Sequence, residues 1–182
     1  MQLCFVTELN QTAVPITVVT PQHYSTWLAK QTNSVHNWLA SIQFLVEPGN
    51  FCLIPQDELG IQRVLCCLAN EEDFWGIGNL PLNLPEGIYT FEEDYPNLPA
   101  YALAWGLGAY QFTRYKKPKR LPSKLVLPKK WTGGSIENKV ESIYLVRDCI
   151  NTPTEDMGPS ELAQIMEAVS YTHLTLPTNR EV

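Results

Sequence analysis

Runs rich in β-branched residues alternate with stretches of helical spacing along most of this chain, and that alternation most narrows its fold. Ile16-Thr17-Val18-Val19-Thr20 is the first such run. Thr20-Pro21 then has the chemistry of a helix cap followed by proline at the first position, and Tyr24, Trp27 and Leu28 give a short helix one apolar side. Val35, Trp38, Leu39 and Ile42 repeat the helical spacing. Phe51 to Pro55 and Gln62 to Ala69 read as neighbouring strands, with a turn over Asp57 to Gly60. Phe74 to Leu80 fits a short helix, Gly87 to Phe91 a strand, and Lys124 to Pro128 a last strand. Leu98, Ala102, Trp105, Ala109 and Phe112 fall on one helical face, widened by Leu103, Leu107 and Tyr110. A substantially buried helix is therefore expected from Leu98 to Phe112, with Ala100, Ala104, Gly106 and Gly108 letting another backbone approach closely. Elements alternating in this way favour an α/β fold, a layered mixed sheet with helices on both faces.

A helix end, a turn and a helix start follow. Ile136, Val140, Ile143, Val146 and Ile150 keep one helical face after Gly133-Gly134-Ser135. Asn151 can take a left-handed cap, and Pro153 forbids continuation because it lacks an N–H and restricts Thr152. Gly158-Pro159 restarts a helix with proline first, and Glu161 suits its positive end. The segment hands one domain over to whatever follows.

That junction resembles the leucine aminopeptidase (cytosol aminopeptidase) family at the boundary of its two domains. Arg147, Asp148, Asn151, Thr152, Pro153, Asp156, Met157, Pro159 and Leu162 match, while Gly158 replaces the usual Thr or Ser and supplies no side-chain acceptor. Ala102 to Phe112, with Tyr115-Lys116-Lys117, is similar to a second family stretch, and the resemblance covers residues 30 to 169. It implies a macro-domain-like N-terminal domain over residues 1–131, and a linker helix with the start of a missing catalytic domain over 132–169. It further implies a parent hydrolase that removes N-terminal residues from peptides using two divalent ions, manganese or zinc, and assembles as a homo-hexamer. The family's metal-holding motifs belong to the C-terminal domain and neither occurs here. The resemblance therefore assigns no catalytic, cofactor-binding or metal-binding residue to this chain, which alone is expected to be inactive. Residues 170–182 resemble a translated adapter run and are read as a non-native tail that breaks the helix begun at Pro159.

Composition narrows the classes further. Lys and Arg number 13 against 19 Asp and Glu, a net charge of −6 that argues against a dedicated nucleic-acid binder or a membrane-surface protein. A hydrophobic fraction of 45% with five Trp suffices for a core and disfavours disorder. The longest apolar run, Ala100 to Tyr110, is too short to span a bilayer, and Met1 to Phe5 lacks the basic start of a secretion signal. Five cysteines, with Cys66 and Cys67 on opposite sides of a strand and no Cys-x-x-Cys, fit buried free thiols in a reducing cytoplasm.

Several constellations bear on chemistry. Arg114, Lys116, Lys117, Lys119, Arg120, Lys124, Lys129 and Lys130 occur with no acidic residue between Pro96 and Ile136. The alternative function is thus a stand-alone binding module using Arg114–Lys130, with Phe112, Tyr115 and Trp131, for nucleic acid or an acidic partner. A solvated helix end and basic loop is the plainer reading of the same residues. Glu71-Glu72-Asp73 and Glu92-Glu93-Asp94 could supply metal oxygens but read as solvated turns near helix starts. His23 and His36 lack metal spacing and read as ordinary histidines, and Cys149 reads as a core contact rather than a nucleophile. Of the glycine pairs Gly76/Gly78 and Gly106/Gly108, the second lies within a helix and cannot cradle a phosphate. Gly133-Gly134 after Lys129-Lys130 is the better anion candidate.

Overall fold

The β-rich runs become six strands of one sheet in a computed structural model that describes residues 4–7, 13–56, 60–92, 95–128 and 135–173. They are β1 (Phe5–Val6), β2 (Val14–Val19), β3 (Phe51–Gln56), β4 (Gly60–Cys67), β5 (Ile88–Phe91) and β6 (Lys124–Val126). Their order is β1-β6-β5-β2-β4-β3, parallel throughout except for the antiparallel β3/β4 pair at one edge. The mixed α/β class is therefore as expected. Strand β1 has too short an apolar run to signal itself. It exists because Leu125 and Leu127 N–H donate to Cys4 O at 2.8 Å and Val6 O at 2.9 Å.

The helices are α1 (Tyr24–Leu28), α2 (Asn33–Ser41), α3 (Leu80–Asn83), α4 (Leu98–Gly108), α5 (Ser135–Asn151) and α6 (Pro159–His173), with a 3-10 turn over Trp75–Asn79. Helices α1, α2 and α4 cover the two sheet faces. On one, Val19, Leu65, Cys67, Cys52 and Ile54 pack with Val35 and Leu39 of α2, and Tyr24, Trp27 and Leu28 of α1 join them. On the other, Tyr89 and Phe91 of β5 meet Trp105 and Tyr101 of α4, with ring centroids 6.0 Å and 5.7 Å apart. Strand alternation divides the cysteine pair between these layers: Cys67 joins the α1/α2 cluster, and Cys66 is buried on the opposite face.

Glycine allows α4 to lie close to its neighbours. A Cβ at Gly108 would come within 2.6 Å of the Gly78 carbonyl carbon, so the backbones of α4 and the 3-10 turn touch directly. At Gly106 it would meet Val140 Cγ2 at 2.5 Å and Phe5 at 3.0 Å. Gly78, Gly106 and Gly108 therefore serve helix packing, while Gly76 lies against the Leu68 side chain.

Several expected boundaries move. Helix α4 stops at Gly108, not Phe112: glycines weaken its last turn, and Ala109 N–H is shared between Trp105 O and Gly106 O at 3.0 and 3.2 Å. Helix α1 starts at Tyr24, after a turn at residues 21–23 in which Thr20 O accepts from His23 and Tyr24 N–H. The region from Phe74 splits into the 3-10 turn and α3, with Pro81 in the first turn of α3. Asn151 is not a left-handed cap: it remains in α5, and among described non-glycine residues only Gln43 has a positive φ, 49°. The chain is instead turned by Thr152, whose N–H and hydroxyl both donate to Asp148 O, at 3.0 and 2.7 Å. Nor does Ser170 break α6, which continues to His173 because the backbone at 170–173 keeps helical form. The turn residues 57–59, Gly133-Gly134 and residues 174–182 lie outside the described residues.

The chain falls into two compact units, residues up to Glu141 and residues from Ser142 onward. The division lies within α5. In the second unit, Gly158 N–H donates to Glu161 Oε2 at 3.0 Å, so the Glu side chain caps a helix start whose own cap residue has none. Val146 and Ile150 on α5 are exposed, as are Leu162, Met166 and Val169 on α6.

Candidate functional site

Parallel strands bring their C-terminal ends to one edge of a sheet, where ligands of α/β folds bind. Here β2, β4 and β5 end side by side, and a cleft of about 600 Å³ opens between the end of β2, helix α1 and the loops after β4 and β5. Thr17, Val19 and Thr20 line it from the end of β2, Trp27 comes from α1 and Lys30 from the turn after it, and Glu71 and Glu92 come from the two loops. Arg63 of β4 also lines it.

The charged groups are held in order. Glu92 accepts from the Thr17 hydroxyl and pairs with Arg63 Nη1 at 3.3 Å. Arg63 Nε is buried and has no hydrogen-bond partner. Glu71 stands 3.9 Å from His23 Nδ1 and is widely exposed, but its backbone is tethered: its carbonyl accepts from Asn97 Nδ2 at 2.7 Å and Tyr101 Oη at 2.9 Å. Burial, with the Glu71 carboxylate next in effect, pushes the Tyr101 hydroxyl up to about 12, so it remains a donor at neutral pH. Tyr95 Oη accepts from Val18 N–H at 3.0 Å and fixes the loop after β5.

Sequence reading missed this cleft because its members lie in four separate segments. Glu71 and Glu92 came from clusters read as solvated turns. Glu72 is exposed, and Asp73 accepts from Ala69 N–H at 3.1 Å, a turn role. Glu92, by contrast, is bound to Thr17 and Arg63, and Glu93-Asp94 lies outside the described residues. His23 reaches the cleft; His36, on α2, is not among its lining residues. The available signal was two threonines, Thr17 and Thr20, at the end of an otherwise apolar strand run.

Other candidates lie elsewhere. Arg114, Lys116, Lys117 and Lys119 are exposed in the loop after α4, with the Arg114 guanidinium 5.7 Å from the Tyr115 ring centroid. Arg120 is committed to Leu84 O, and Lys129 and Lys130 lie outside the described residues. Cys149 is half-buried on α5, whereas burial pushes the Cys4, Cys52 and Cys66 thiols up to about 12. Among the described residues, no three His, Cys, Asp or Glu side chains gather into a group fit to hold a metal ion, and no helix is long and apolar enough to cross a membrane.

Residues 14–128 match the family described as M17 aminopeptidase, N-terminal domain. A probable cytosol aminopeptidase of Wolinella succinogenes is 31% identical over 102 residues, covering 48% of this chain and 21% of that protein. The crystal structure of cytosol aminopeptidase from Coxiella burnetii is similar over 93% of this chain and 38% of its own, with 35% identity and a TM-score of 0.86. The bottromycin maturation enzyme BotP shares the fold at 14% identity and a TM-score of 0.61, over 89% of this chain and 38% of its own. The chain thus spans about a fifth to two fifths of the length of these relatives. With a matching fold and a family match over most of the first unit, the chain belongs to the M17 aminopeptidase family, of which it carries the N-terminal domain.

Proposed function

We propose that this chain is the non-catalytic N-terminal domain and linker of a metal-dependent leucyl aminopeptidase. The match of residues 14–128 to that domain carries the reading, supported by the small share of its relatives' length that the chain spans. The domain covers residues 1–131; 132–169 forms the linker helix and the start of the catalytic domain, and 170–182 belongs to neither. The parent enzyme would hydrolyse the first peptide bond with two divalent ions, manganese or zinc, in the domain beyond this chain. The described residues do not fit such a centre, so no step of the hydrolysis is assigned to them.

In the parent, this domain would cap the catalytic domain and take part in a homo-hexamer. The exposed Leu162, Met166 and Val169 give that domain an apolar face to cover. A cytoplasmic location is supported by the names of the two cytosol aminopeptidases and by free, buried thiols. The test is direct. Purified chain with Mn²⁺ or Zn²⁺ should show no hydrolysis of leucine amide; metal-dependent turnover would overturn the reading.

A second reading is favoured by the exposure of Arg114, Lys116, Lys117 and Lys119: this loop binds nucleic acid or an acidic partner. It expects a salt-sensitive gel shift that is lost when Lys116, Lys117 and Lys119 become Glu. Absence of a shift at low salt removes it.

A further inference from the structure

Strand β3 ends the sheet, and an edge strand of six residues is a template for another strand. Cys67 N–H donates to Asn50 O at 2.8 Å, and the register then pairs Cys52 with Leu65 and Ile54 with Arg63. In an antiparallel ladder every second residue gives both backbone groups to its neighbour. Cys52 and Ile54 therefore bond to β4, while Phe51 and Leu53 turn their N–H and C=O groups outward.

Trp38 reaches that outer edge. Its neighbours on the same face of α2, Val35 and Leu39, are buried, yet Trp38 is 37% exposed and its indole Nε1 donates to Leu53 O at 2.9 Å. The largest apolar side chain of α2 is thus placed on an edge carbonyl rather than in the core. Further along β3, the exposed Pro55 has no N–H to offer.

These two features bear on every way the strand could pair with a second copy of itself about a two-fold axis. With Phe51 opposite Leu53, two of the four bonds end on the Leu53 carbonyls that the indoles hold. With Leu53 opposite Leu53, both central bonds end there, and the flanking Pro55 residues withhold two more. With Phe51 opposite Phe51, the next residue met by Leu53 is Gly49, whose N–H is already given to Cys67 O at 2.8 Å. The indole ring also takes space an incoming backbone needs, because paired strands lie only about 4.8 Å apart. We propose that Trp38 guards the β3 edge, holding the carbonyl on which antiparallel pairing with a second copy of this chain depends. The aminopeptidase reading plays no part in this.

The experiment compares the unaltered chain with Trp38→Phe and with Trp38→Phe/Pro55→Val, using sedimentation equilibrium and amide hydrogen exchange. The double variant should self-associate at least about tenfold more tightly than the unaltered chain, with the single variant between them. Its Leu53 amide should exchange more slowly as concentration rises. Equal self-association of all three chains, or tighter association that leaves Leu53 exchange unchanged, overturns the proposal. If the variants prove misfolded by circular dichroism, the unaltered chain still decides. There, the Leu53 amide should exchange at least about tenfold faster than those of Cys52 and Ile54, and the Trp38 indole N–H more slowly than that of the exposed Trp75. A Leu53 amide as protected as its neighbours, or a Trp38 indole exchanging as fast as that of Trp75, overturns the guard.

Discussion

Replacing Gly108 with alanine sets helix propensity against packing, and the structure decides the sign. In a helix, Gly→Ala alone gains about 0.8–1 kcal/mol. The new methyl would lie 2.6 Å from the Gly78 carbonyl carbon and 2.8 Å from its Cα, where carbon atoms pack best at about 3.5–4.0 Å. These carbons, and the Gly78 carbonyl oxygen that stands nearest of all, are backbone, so no rotamer change relieves them; α4 or the 3-10 turn must shift by more than about 1 Å. The cost falls at the upper end of overpacking, about 3 kcal/mol, leaving a net loss of about 2 kcal/mol. For a chain of this size that lowers Tm by roughly 4–8 °C. Gly106→Ala is the internal comparison, because its methyl meets side chains, the buried Val140 and Phe5, rather than backbone. Its net loss should be smaller, about 1 kcal/mol. Thermal and urea unfolding of both variants check the argument. A Gly108→Ala chain as stable as the parent, or a greater loss for Gly106→Ala, would refute the backbone contact.

Ellman's reagent at pH 8 should modify the half-buried Cys149 first, with Cys4, Cys52 and Cys66 reacting only after denaturation; prompt reaction of all five thiols would contradict the packing. Those three thiols are raised in the folded chain, so their contribution is complete below the ordinary thiol value of 9.0 and is lost as pH rises toward about 12. Urea midpoints should fall across that window. Hydrogen bonds from its own N–H, then the Ser160 hydroxyl, then Gly158 N–H hold the Glu161 carboxyl below the usual range. The ordering of α6 that it supports is present above that range and is lost as pH falls through the lowered value. Carbon-detected NMR should show Glu161 titrating lower in the folded chain than in urea; an equal midpoint would remove the cap.

Much of the architecture was legible locally. Val14–Val19 and Gly60–Cys67 carry β-branched and apolar runs that few other conformations would bury, and the Leu98-Ala102-Trp105 spacing can close only as a helix face. Pro153 and Gly158-Pro159 mark the junction because proline's missing N–H acts whatever surrounds it. Strand β1 was not legible, since two residues become a strand only when β6 offers its edge. Nor were the limits of α4 and α6, which depend on how the last backbone hydrogen bonds are shared rather than on side-chain pattern.

Sequence alone determined the repertoire of elements, their apolar faces and the family motifs, because propensity, periodicity and proline chemistry act over a few neighbouring residues. Only the tertiary structure decided that Gly78 lies against Gly108, and that Thr17, Arg63, Glu71 and Glu92 share one cleft. Those pairings join residues tens of positions apart, and strand order, which no local pattern encodes, is what brings them together.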